Sequence, residues 1–191
     1  MCAAAGLALL AFLLTANGFS ARQPPGAFES WMARRARSAA VPSDVRALAN
    51  PMVNSLEIQK EARAHWADHC AGCHANDGSG NTALGKNTYP PAPDMRIAPT
   101  QQMTDGELFS VIENGIRFTA MPAWSTGSDQ DAKESWKLVY FIRHLPQLTL
   151  EEKQEMERLN PKSRDEFREE EQEEKFLKGE SNEPQVQTHH Q

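Results

Sequence analysis

Apolar and polar positions divide the chain into four stretches. Residues 1–21 are apolar, and Met1 to Ala16 carries no charge. A helix needs about 20 apolar residues to cross a bilayer, whereas about 7–15 form a signal-peptide core. The stretch falls between the two. It predicts either an uncleaved N-terminal anchor helix or a cleaved signal, with the small residues Ala16 and Gly18 before the cut. Residues 22–54 predict a linker interrupted by Pro24, Pro25, Pro42 and Pro51. Within it, Ala27 to Ala40 has the period of a basic amphipathic helix, with Phe28, Trp31 and Met32 opposite the arginines. That pattern fits a helix resting on anionic lipid and equally a solvated spacer.

Residues 55–147 carry the patterning of a folded domain. Ser55 caps a first helix that runs to Cys70 and aligns Ala62 with Trp66 on one face. Residues 75–104 are rich in Gly, Asn, Asp and Pro and predict loop. Thr104-Asp105-Gly106-Glu107 is a capping box opening a helix with Leu108, Val111 and Ile112, closed at Asn114-Gly115. A loop through Met121-Pro122 follows. The last helix, Ala132 to His144, starts from Asp129 or Asp131, carries Trp136, Leu138, Val139, Phe141 and Ile142, and stops before Pro146. Residues 148–191 predict an acidic, partly disordered tail: Leu150 to Leu159 has helical character, Arg168 to Lys175 is glutamate-rich, and order is expected to end at Gly179.

Composition changes the picture in two places. Hydrophobic residues make up 39% of the chain and the net charge is −6, and both values are set by the tail. No basic face of the kind nucleic acid requires emerges from them. The 3 cysteines do not form a disulfide framework. Cys2 lies in the apolar stretch, while the other two stand in Cys70-Ala71-Gly72-Cys73-His74. Cys-x-x-Cys-His is the attachment signature of c-type haem.

The order helix, CxxCH, long loop, helix, Met-Pro, closing aromatic helix resembles that of class I cytochromes c. The resemblance covers residues 55–147 and is similar to the bacterial, single-haem, membrane-linked members of that group. It implies an all-α cytochrome c fold of three to five short helices around one covalently bound haem c, flanked here by the apolar N-terminal helix and the acidic tail. It implies Cys70 and Cys73 as thioether anchors and His74 as the proximal iron ligand. Two thiols at this spacing reach the two vinyl groups of one haem edge, and the next residue then faces the iron. Met121 is the implied ligand on the other side, ahead of Met95 and Met103. A thioether favours ferrous iron and suits electron transfer. The group also implies a proline carbonyl, Pro91 among Pro90, Pro91 and Pro93, accepting from the proximal histidine. It further implies packing of Ala62 and Trp66 against Phe141. Trp124 is expected either to cover the haem or to fill core, and Arg117 either to meet a propionate or to be solvated.

The implied function is that of an electron carrier rather than an enzyme, exchanging one electron with redox partners, membrane respiratory complexes among them. The implied location is the periplasmic side of the bacterial inner membrane, anchored by the N-terminal segment, or soluble in the periplasm after cleavage. Arg22, Arg34, Arg35 and Arg37 after the apolar stretch would place the domain inside by charge bias. Haem attachment, which takes place on the outer side, argues the other way. Three alternatives stay open. One is a haem sensor or peroxidase with an open sixth position, using His65 or His69. Another is the electron-entry subunit of a larger respiratory complex. The third is a zinc site at His69, Cys70, Cys73 and His74, which lacks the second separated ligand pair that structural zinc requires. His189 and His190 offer a terminal pair without further ligands.

Overall fold

Ser55 accepts from the Ile58 N–H at 3.2 Å and starts the first helix of the domain, Leu56–His65. The computed structural model describes residues 20–162 and 164–178, with Ala5, Gly6 and Phe12. Among the described residues from Ser20 on, two helices precede that one: α1, Ala27–Ala40, and α2, Ser43–Arg46. The helix from Ser55 is α3, Leu56–His65; it continues through a π-helical turn, Trp66–Cys70, into α4, Ala71–His74. Two single-turn helices, α5 Ala83–Lys86 and α6 Ala98–Gln101, interrupt the long loop. Then come α7, Asp105–Asn114, and α8, Asp129–His144, with a 3-10 turn at Leu145–Gln147. The helices α9, Leu150–Leu159, and α10, Arg164–Leu177, complete the order. Among the described residues every element is helical.

The capping signals act as the sequence predicts. Thr104 accepts from the Glu107 N–H at 3.1 Å while the Glu107 carboxylate accepts from the Thr104 N–H at 2.9 Å, closing the capping box of α7. The last helix starts at Asp129 because Ser128, one residue earlier, accepts from the Asp131 N–H at 3.1 Å.

The core forms where α3, α7 and α8 meet. Ala62, fully buried, lets α3 approach α8 closely, and one turn later Trp66 lies 5.4 Å from Phe141, ring centre to ring centre. Leu108 and Ile112 of α7 are buried in the same core, and Phe109 stacks on Trp136 at 4.1 Å. Such aromatic pairs add to the area they bury.

Two segments assigned to linker and tail are strapped to this core. In residues 22–54, Val41 is buried, the Asn50 amide donates to the Trp136 carbonyl at 2.8 Å, and the Tyr140 hydroxyl donates to the Met52 carbonyl at 2.5 Å. The Thr104 hydroxyl donates to the Arg46 carbonyl at 2.8 Å. At the other end, Met156 of α9 is completely buried in the core. Arg63 of α3 bridges Glu152 at 2.8 Å and Glu155 at 2.6 Å. The packed unit therefore runs through Leu159 rather than stopping at 147.

Asn160 onward forms a second unit. Its described part is α10, a charged helix carrying Lys175–Glu171 and Lys178–Glu174 pairs one turn apart. Phe176 and Leu177 are exposed. The expected loss of order after Gly179 and the His189/His190 pair lie outside the described residues, as does most of the apolar stretch 1–21 with Cys2. Among the described residues no helix is long and apolar enough to cross a membrane.

Candidate functional site

The CxxCH sequence sits where the first helix is forced to change pitch. The π-helical turn Trp66–Cys70 widens the helix by one residue per turn and delivers Cys70, Cys73 and His74 onto the tight turn of α4. Wide turns of this kind recur at functional sites. Both cysteines are free thiols and half-buried. Burial pushes the Cys70 thiol up to about 12, and the neighbouring Cys73 adds to the effect.

His74 ends the turn, and the chain breaks sharply behind it. Ala75 has φ 61° and ψ 160°, a region that residues with a Cβ rarely adopt. Two hydrogen bonds hold that conformation: the Trp66 indole N–H donates to the Ala75 carbonyl at 3.0 Å, and the Gly80 N–H donates to the His74 carbonyl at 2.8 Å. The Trp66 ring itself lies 5.7 Å from the His74 ring. From the other side the Thr82 hydroxyl donates to the Cys73 carbonyl at 3.2 Å. There α5 presses so close that a Cβ at Gly85 would lie 2.2 Å from the Cys73 oxygen. Glycine is required at that contact.

His74 Nδ1 is buried and has no hydrogen-bond partner. Burial lowers its basicity, which keeps the imidazole in the neutral, metal-ligating form. The expected proline acceptor is not found: the Pro90 carbonyl accepts from the Thr88 hydroxyl at 3.3 Å, and no carbonyl, that of Pro91 included, accepts from His74 Nδ1. The loop's own ladder, Ala92 N–H to Gly85 and Met95 N–H to Gly78, holds it in that course.

Met121 lies half-buried in the loop between α7 and α8. Its carbonyl accepts from the Ile116 N–H at 3.0 Å, and its N–H donates to the Thr119 hydroxyl at 3.1 Å. The loop folds back on Gly115, whose φ of 65° and 2.5 Å Cβ clearance to Pro122 leave no room for a side chain. Three residues on, the Trp124 ring lies 5.8 Å from His69, the neighbour of Cys70, so the Met-Pro loop reaches the CxxCH segment. Trp124 is 39% exposed and does not fill core. Of the other methionines, Met103 has its sulfur 3.6 Å from the Arg37 guanidinium, and both Met95 and Met103 pack against the core. Arg117 is exposed.

His65 and His69 meet edge to face at 5.1 Å, and His65 pairs with Glu134 at 3.6 Å. Among the described residues, no three His, Cys, Asp or Glu side chains converge to hold a metal ion, which removes the geometry a zinc site needs.

A family model described as "Cytochrome C oxidase, cbb3-type, subunit III" matches residues 58–142. The match indicates a c-type cytochrome domain over these residues. No curated protein matches the chain. The cytochrome domain begins inside α3 and ends two residues short of the end of α8, so the match spans the CxxCH turn, the Met-Pro loop and the aromatic core. Such a domain implies covalently bound haem c and haem-based electron transfer. Two free thiols and an imidazole on one tight turn fit that group chemically: the thiols supply the sulfurs for two thioether bonds and His74 a nitrogen donor for iron.

Sequence reading missed the groups that hold the site in shape. The indole-to-Ala75 bond, the Thr82 clasp on Cys73 and the close seat of Gly85 all join positions separated by a loop. Only the Thr82…Gly85 spacing carried a local signal, because Thr82 caps α5 by accepting from the Gly85 N–H at 2.8 Å.

Proposed function

We propose that this chain is a single-haem c-type cytochrome that carries one electron at a time between redox partners at the outer face of a membrane. The observation that carries the reading is the free Cys70/Cys73 pair next to the His74 imidazole on one tight turn, within the stretch that the cytochrome family model matches. Cys70 and Cys73 would hold the haem by two thioether bonds, His74 would ligate iron from one side and Met121 from the other. When bound, the haem supplies a one-electron ferric/ferrous couple whose potential a methionine ligand raises.

The residues around the site divide the remaining work. Trp66 fixes the turn behind His74 through Ala75, which holds the imidazole in one direction. Phe141, Ala62 and Trp66 exclude water from the core side and keep the local dielectric low. The Ile116 N–H and the Thr119 hydroxyl, both bonded to the Met121 backbone, hold the Met-Pro loop in one conformation. A site whose ligands stay fixed between oxidation states requires little rearrangement on electron transfer. With His74 and Met121 both engaged on the iron, no position would stay open to a substrate, and the role would be that of a carrier.

A second reading, the electron-entry subunit of a larger respiratory complex, is supported by the description of the matching family, an oxidase subunit. It uses the same site and the same ligands. The two differ in whether the purified protein travels alone or with membrane partners. Affinity purification from gently solubilised membranes, followed by reduction with each co-purifying partner, tests this. Oxidase subunits retained in fixed proportion support the complex, and a free haem protein supports the shuttle.

A further inference from the structure

The helix α1 is fixed along one face and bare along the other. Arg37, Ser38 and Val41 share the face toward the domain, while Arg34, a turn earlier, stays exposed. There the Arg37 guanidinium donates to the Met103 sulfur at 3.6 Å, the Ser38 hydroxyl donates to the Glu107 carboxylate at 3.1 Å, and Val41 is buried. Phe28, Trp31, Met32 and Arg35 share a different face, so Arg35 lies with the aromatic residues and not opposite them as the sequence pattern suggested. Phe28 is 69% exposed and Trp31 and Met32 are each 50% exposed. Phe28 stacks on Trp31 at 6.0 Å, and the Arg35 guanidinium lies 5.8 Å above the Trp31 ring. A preorganised aromatic pair topped by a cation presents an apolar body with a charged rim.

Charge selects the occupant. The protein as a whole carries −6, yet from Ser20 to Ala40 Arg22, Arg34, Arg35 and Arg37 face a single acid, Glu29. That acid is already held on the domain, where it accepts from the Tyr89 hydroxyl. A basic, aromatic helix on an acidic protein is complementary to an anionic lipid surface, with Trp at the headgroup level and Arg at the phosphates. The charge-free stretch Met1 to Ala16 lies N-terminal to it in the sequence, beyond the segment 17–26.

We propose that the Phe28/Trp31/Met32 stripe of α1 docks on anionic phospholipid, with Arg34 and Arg35 at the headgroup phosphates. Because Ser38, Arg37 and Val41 tie α1 to the domain, docking also sets which side of the cytochrome domain faces the bilayer. The proposal deepens the membrane-side reading given above and rests on it for its physiological setting.

The test uses the full-length holoprotein and co-sedimentation with vesicles of phosphatidylcholine, with or without a third of phosphatidylglycerol. The parent should bind the anionic vesicles about tenfold better, a preference that added salt abolishes. R34Q/R35Q should erase the preference, and F28S/W31S should lower binding to the anionic vesicles by about tenfold. All four positions are exposed, and an unchanged haem spectrum confirms that each variant is folded and loaded. Either variant binding like the parent would overturn the lipid proposal while leaving the haem assignment standing. A vesicle-free dimer of the parent that F28S/W31S dissolves would assign the stripe to a second copy and overturn it equally.

Discussion

The indole N–H of Trp66 donates to the carbonyl of Ala75 at 3.0 Å, joining the helix before the CxxCH turn to the residue immediately after it. This one bond closes the turn that presents Cys70, Cys73 and His74, and it holds Ala75 at its unfavourable φ of 61°. Trp66→Phe keeps the aromatic packing on Phe141 and removes only the donor. It should cost about 1–3 kcal/mol of stability, measured by denaturant unfolding. It should also release Ala75, so amide exchange at Ala75 and Asn76 should speed up more than in the core of α8. Equal protection in variant and parent would show that the bond does not hold the turn.

Met121 is read from the Met-Pro pattern before the last helix of the domain, and the potential tests its role directly. Met121→Ala should lower the midpoint potential by a sizeable part of the roughly 0.8 V that axial ligands span. It should also let carbon monoxide bind the ferrous protein. Potentiometric titration checks the first and absorption spectroscopy the second. A variant with the parent's potential and no carbon monoxide binding would place the sixth ligand elsewhere.

The helix α9 belongs to the core, so its deletion should destabilise the domain. Met156→Ala should cost about 2–5 kcal/mol, the range for emptying a fully buried methionine site. Truncation after Gln147, the sequence-derived end of the domain, should lower the thermal midpoint, read by circular dichroism.

The ties between α3 and α9 predict an acid limit. Burial pushes the Glu152 carboxyl up, but the Thr149 N–H, His144 and Arg63 outweigh it, and the net pKa lies below the ordinary glutamate value. A carboxylate depressed in the folded state contributes stability that is present above its unfolded pKa, about 4.3, and is lost as pH falls through the lower folded value. Stability should therefore be flat near neutrality and fall below about pH 4.3. Glu152→Gln should reduce stability at pH 7 by about 1 kcal/mol and flatten that acid limb, measured by urea unfolding across pH.

These elements also mark how far the sequence was legible. The helices of the domain announced themselves through local chemistry: Ser55, Thr104 and Glu107 cap as their spacing requires, and Gly115 follows α7 where the chain must turn. The pairing of Trp66 with Phe141 followed from the family resemblance and is found in the core. What stayed hidden depends on tertiary contacts. In α9, charged residues surround a single central methionine, so no amphipathic stripe marks the face that Met156 buries. The straps from Asn50 and Met52 to α8 are made by backbone carbonyls and a side-chain amide, groups that leave no periodic trace. The proline carbonyl expected at His74 Nδ1 is not found there, and the neighbouring Pro90 carbonyl accepts from Thr88 within its own loop, a course invisible at the level of residue type.

The measurement that bears most directly on the account is the mass and pyridine haemochrome spectrum of the protein made in a host competent for cytochrome maturation. One haem should remain after denaturation and acid-acetone extraction. Under denaturing conditions neither Cys70 nor Cys73 should react with an alkylating agent, and Cys70→Ala or Cys73→Ala should weaken or abolish that retention. A colourless product whose Cys70 and Cys73 both alkylate in denaturant would contradict it.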